Sequence, residues 1–69
     1  MSEENVQDWI RAATYGAIRE ADCQLSDGVL LLRGRVPNFY TKQLAQEAAG
    51  RLPGVVDVVN HIEVMSADW

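Results

Sequence analysis

The sequence predicts an α+β domain in two layers, ordered helix, strand, strand, helix, strand, with a mixed three-stranded sheet carrying both helices on one face. Three observations predict it. Apolar residues before position 20 recur at the 3.6-residue spacing of a helix. Residues 28–36 alternate with the period of two that a strand with one buried face requires. A second helical stretch, opened by Pro37-Asn38 and closed by Pro53-Gly54, separates that strand from a run rich in valine. A tight turn leaves its two strands antiparallel, whereas a helical crossover leaves them parallel, so the sheet is expected to be mixed.

Taken in order, Val6, Trp9, Ile10, Ala13, Ala17 and Ile18 form one apolar stripe, which predicts a helix from residue 2 or 3 to residue 20 with Trp9 in the core. Ser2 or Asn5 is the expected cap, with Glu3, Glu4 and Asp8 near the positive end of the helix dipole. Gly16 costs about 1 kcal/mol relative to alanine inside a helix and is read either as a place where another backbone approaches closely or, in preference, as a tolerated weak spot. Residues 21–26 alternate, with Cys23 and Leu25 turned inward. Asp27-Gly28 between two alternating runs is a hairpin signal.

In residues 28–36 the inward set is Leu30, Leu32, Gly34 and Val36, and the outward set Val29, Leu31, Arg33 and Arg35. Pro37 ends this strand because it donates no backbone hydrogen bond, and Asn38 caps the second helix. The apolar stripe of that helix is Tyr40, Leu44, Ala45, Ala48 and Leu52. Residues 55–64 supply the third strand, with Val56, Val58, Asn60, Ile62 and Val64 inward and Val55, Asp57, Val59, His61 and Glu63 outward. Residues 65–69 carry no periodic signal and are expected to form a flexible tail. One domain is expected over residues 1–69, with its core in 6–64.

Composition bounds the function. With 69 residues the chain holds one small domain, and such a domain buries only about 60% of the surface its unfolded chain exposes. Its 48% hydrophobic and 23% charged residues are those of a folded protein. A net charge of −4 argues against nucleic acid as a partner. No stretch approaches the roughly 18–20 apolar residues of a membrane span. The acidic start, followed by no long apolar run, differs from a signal peptide, so a cytoplasmic location is the expectation from these residues alone. Cys23 is the single cysteine and has no partner for an internal disulfide.

The pattern Gly28, Leu30, Leu32, Gly34, Val36, the alanine-rich second helix, and Gly54-Val55 followed by Val58, Asn60, Ile62 and Val64 together resemble the BON domain family over residues 6–64. The resemblance implies a non-enzymatic binding module, associated with phospholipid or membrane surfaces and with cell-envelope integrity under osmotic stress. It also implies a periplasmic or envelope-associated setting. It carries no catalytic set, and it assigns Gly28 to a turn, Gly34 to close approach of a helix, and Gly54 to the helix exit. Val29 and Leu31 make the outward face greasier than is usual in the family.

No catalytic, cofactor-binding or metal-binding residues are assigned. His61 is the only histidine, and Asp57 lies four residues away along the same strand, too far to share an ion with it. Ser2, Ser26 and Ser66 have no nucleophile context, Cys23 falls on the core parity, and the glycines of residues 28–36 do not lead into a helix as a phosphate loop would. Two surfaces are candidates. Val29, Leu31, Arg33, Arg35, Val59 and His61 share the outward face, which would suit a protein partner or a homo-oligomer, with the arginines paired to Asp57 or Glu63. Phe39, Tyr40 and Lys42 open the second helix and would suit a lipid interface, with one of the two rings pointing outward. A phospholipid surface is the leading expectation and a protein-interaction or self-assembly domain the alternative.

Overall fold

The computed structural model describes the backbone of residues 3–65 and the side chains of residues 5–65. Five elements follow in the predicted order: α1 (Glu3–Ala13), β1 (Arg19–Ser26), β2 (Val29–Val36), α2 (Phe39–Gly50) and β3 (Asp57–Val64). The sheet order is β1-β2-β3, antiparallel between β1 and β2 and parallel between β2 and β3. Val6 and Ile10 of α1 and Ala45, Ala48 and Ala49 of α2 join Cys23, Leu30, Leu32, Val36 and Ile62 in one buried cluster. The helices therefore cover the Leu30 face of the sheet and leave the Leu31 face bare.

The local signals act where the sequence places them. Asp27 and Gly28 take φ of 52° and 80°, the two positive values that let a two-residue turn follow the twist of the flanking strands. Asn38 caps α2: its Oδ1 accepts from the Thr41 backbone N–H at 2.8 Å and from the Thr41 hydroxyl at 2.8 Å. Thr41 is buried, so the cap also satisfies a polar group inside the core. Asn38→Ala is expected to lower unfolding stability by about 1–2 kcal/mol, with Asn38→Asp recovering most of it in urea titrations.

The first helix is shorter than its periodicity implies. It ends at Ala13, where the Gly16 N–H donates to the Arg11 carbonyl at 2.8 Å and the Tyr15 N–H to the Ala12 carbonyl at 3.1 Å. This pair of bonds closes a Schellman turn, with Tyr15 and Gly16 at φ of 56° and 77°. Gly16 thus belongs to the helix stop; it is not a weak spot inside a helix, and no other segment approaches it, since a Cβ there would meet nothing within 4 Å. Ala17 and Ile18 reach the core from the returning chain. Asn5 lies within α1 and is not its cap; the Ser2 alternative lies outside the described residues.

Other assignments also change. Trp9 is 45% exposed; its indole N–H donates to the Ala48 carbonyl at 2.8 Å, so the ring lies over the α1–α2 seam and is not a core residue. Tyr40 leaves the apolar stripe of α2 and is exposed, while Thr41 and Ala49 are buried. β3 starts at Asp57, and Val56 is exposed, held by its N–H to the Gly28 carbonyl at 2.7 Å. Gly34 makes room for Ile18 and the Arg19 carbonyl, at the loop before β1, and not for a helix. Met65, assigned to the tail, extends the parallel ladder by donating to the Val36 carbonyl at 2.7 Å. The rest of that tail, Ser66 and Trp69 included, lies outside the described residues.

Candidate functional site

Register places the outward residues of the sheet in rows across the three strands. Ser26, Val29 and Asp57 form one, Gln24, Leu31 and Val59 the next, and Asp22, Arg33 and His61 the third. In the fourth, Arg35 lies opposite Glu63 on one side and the irregular start of β1 on the other. The predicted face is therefore assembled: Val29, Leu31, Arg33, Arg35, Val59 and His61 all lie on it. One half holds the aliphatic residues Val29, Leu31 and Val59 among Ser26, Gln24 and Asp57, and the other half is charged. The charged half forms an open depression of 490 Å³ lined by Glu20, Asp22, Arg33, Gly34, Arg35, His61 and Glu63.

Ionic pairing on this face differs from the expectation. Arg35 pairs with Glu20, Nη1 to Oε1 at 3.5 Å, and not with Asp57 or Glu63. The cause is an irregularity of β1 between Arg19 and Asp22, where Glu20 takes φ of 54° and its side chain comes to lie beside Arg35. Asp57 instead turns back, its Oδ1 accepting from the Val58 N–H at 2.9 Å. Arg33 is exposed and has no ion-pair partner among the described residues. No three His, Cys, Asp or Glu side chains converge on a common point among the described residues.

The second candidate lies elsewhere, at one end of the domain. β1 begins where β2 and β3 finish, so the turn from α1 into β1 and the step from β2 into α2 share that end. Both rings there point outward, Phe39 at 75% and Tyr40 at 68% exposure, with Lys42 half-buried beside them. Tyr15 joins them from the α1 stop at 88% exposure. Sequence reasoning missed Tyr15 because the stripe was carried through it to Ile18. The available signal was Tyr-Gly, a helix stop whose first residue has no apolar position left to fill.

Every aromatic side chain among the described residues is at least 45% exposed, and the buried cluster is wholly aliphatic apart from Cys23. Rings supply large contact area at low entropic cost and are concentrated where proteins bind. The model of the BON domain family matches residues 6–66. This chain belongs to the BON domain family. No curated protein matches it. The match runs from Val6, the first buried residue of α1, through all five elements, and the BON domain is a binding module. In this BON domain the part of the resemblance pattern that lies in β2, Leu30, Leu32, Gly34 and Val36, is the covered side of that strand. The aromatic end and the bare face of the sheet lie outside that pattern.

Proposed function

We propose that this BON domain is a non-enzymatic module that docks on phospholipid surfaces through its aromatic end and so supports the integrity of the cell envelope. The observation that carries this reading is the pair of exposed rings, Phe39 and Tyr40, at the start of α2. Amphipathic rings partition to the headgroup level of a bilayer, and a lysine beside them can meet phosphate oxygens. The net charge of −4 opposes long-range attraction to anionic lipid, so burial of the rings must supply the binding. Tyr15 supports the same end: it is a non-glycine residue at positive φ whose ring packs on little, and stability alone favours glycine there by about 1 kcal/mol.

Flotation with phosphatidylglycerol–phosphatidylethanolamine vesicles at low salt tests this. The wild-type chain is expected to co-float, and Phe39→Ser with Tyr40→Ser to reduce the bound fraction roughly tenfold or more. Tyr15→Gly is the cleaner variant, since it should hold or raise stability while weakening flotation. Wild-type protein that stays at the bottom of the gradient, or double-serine protein that floats as well as wild type, would end the proposal.

A further inference from the structure

We infer that the bare face of the sheet is the contact between two copies of this chain. They pack face to face with antiparallel strands, about a two-fold axis that crosses the row of Leu31 and Val59. The inference is independent of the lipid reading, which uses the end of the domain.

Charge selects the axis. A two-fold axis running along the strands would set β2 on β2 in the same direction, placing Arg33 and Arg35 against their own copies and Glu20 near Glu63. That arrangement sets arginine on arginine along β2 and carboxylate near carboxylate in the fourth row. An axis across the strands instead sets Leu31 on Leu31 and Val59 on Val59, and lays the Arg33 row over the row that holds Asp57. Aligned sheets cross at about −30°. With the right-handed connection that parallel crossovers take, this rotation carries Arg33 sideways from β2 toward β3 of the second copy. Asp57 of the second copy is the charged residue there. The one guanidinium on this face without an ion pair among the described residues thus meets a carboxylate, and the same contact repeats across the axis.

The free edge of β3 is partly closed to pairing by strand addition. Met65 and Asp57 donate to the Val36 and Gly28 carbonyls, so by strand alternation the N–H groups of Val58, Asn60, Ile62 and Val64 point away from β2. Two of the four are met by side chains of β3 itself, Val58 by Asp57 Oδ1 at 2.9 Å and Ile62 by Asn60 Oδ1 at 3.0 Å. An edge half capped in this way is a weaker template for another strand. Three strands of this length present roughly 350 Å² per copy, well below the ~800 Å² of a stable interface, so the dimer is weak and concentration-dependent.

Sedimentation velocity of the full chain from about 10 μM to 1 mM tests it. Wild type is expected to shift toward dimer above roughly 0.1 mM. Arg33→Glu and Asp57→Lys, each placing like charges in the contact, should lower the association constant about tenfold or more. An equimolar mixture of the two should restore it, because both contacts in the mixed dimer are again opposite in charge. That recovery cannot come from a folding defect, and thermal melts of the single variants check the fold directly. Leu31→Lys should remain monomeric and folded. A wild-type monomer at 1 mM, or no recovery on mixing, overturns the inference. Flotation on vesicles should be unchanged in Arg33→Glu; a loss there, with wild type monomeric, assigns this face to lipid instead.

Discussion

Leu30→Ala is expected to destabilise the domain by about 3–4 kcal/mol, while its neighbour Leu31→Ala costs less than about 1 kcal/mol. Leu30 is fully buried in a cluster that draws residues from both helices and all three strands, so truncation opens a cavity with few ways to collapse. Leu31 is only half-buried, on the face that the helices do not cover. The contrast matters because a domain of this size is stabilised by only roughly 3–10 kcal/mol in total. Leu30→Ala should therefore be largely unfolded at modest urea, with Leu31→Ala close to wild type. Equal losses in urea titrations at low protein concentration would mean that the outer face is packed within the monomer, and the assignment of the two faces would be wrong.

Gly34→Ala should cost about 1–3 kcal/mol even though it adds a single methyl group. A Cβ there would lie 2.9 Å from Ile18 Cδ1, 3.0 Å from Ile18 Cγ1 and 3.2 Å from the Arg19 carbonyl oxygen. Ile18 is 6% exposed and cannot swing into solvent, and the carbonyl belongs to backbone at the start of β1. Ile18→Val removes the Cδ1 atom at the tightest contact and alone should cost about 1 kcal/mol. Combined with Gly34→Ala, the losses should fall short of additivity by at least about 0.5 kcal/mol, the signature of a shared contact. A neutral Gly34→Ala, or strictly additive losses in the double-mutant cycle, would show that β2 and the Ile18 loop are not in contact here. Family resemblance assigned this glycine to an approaching helix; the structure assigns it to a loop, and the cycle separates the two because Ile18 lies in no helix.

The features legible beforehand are those written in neighbouring residues. Asp27-Gly28 specified its turn because few residue pairs accept two positive φ values. Asn38 specified its cap because its side chain needs only the N–H three residues on. The stop after Ala13 was written too, in Tyr15-Gly16, but Ala17 and Ile18 continue the helical spacing by coincidence and are buried by a different route. Periodicity registers that a residue is buried, not which element buries it. Trp9 was misplaced because an indole has an apolar body and a donor: the N–H needed the Ala48 carbonyl, 39 residues away, and finding it left the ring half in water. Tyr40 was misplaced because its spacing fits a stripe whose actual burial goes to smaller residues, Thr41, Ala45, Ala48 and Ala49, which let α2 lie close to its neighbours.

The sequence by itself determined the order of elements, the mixed sheet and the inward parity of β2. Each follows from alternation, turn chemistry and connection length, which act over a few residues. Only the tertiary structure decided where the rings and charges of the candidate surfaces lie. Phe39, Tyr40 and Tyr15 share an end because β1 starts where β2 and β3 stop, and Glu20 takes Arg35 because β1 is irregular at that point. Arg33 is left without an ion pair among the described residues. Those outcomes depend on where distant segments pack against one another, which no local pattern encodes.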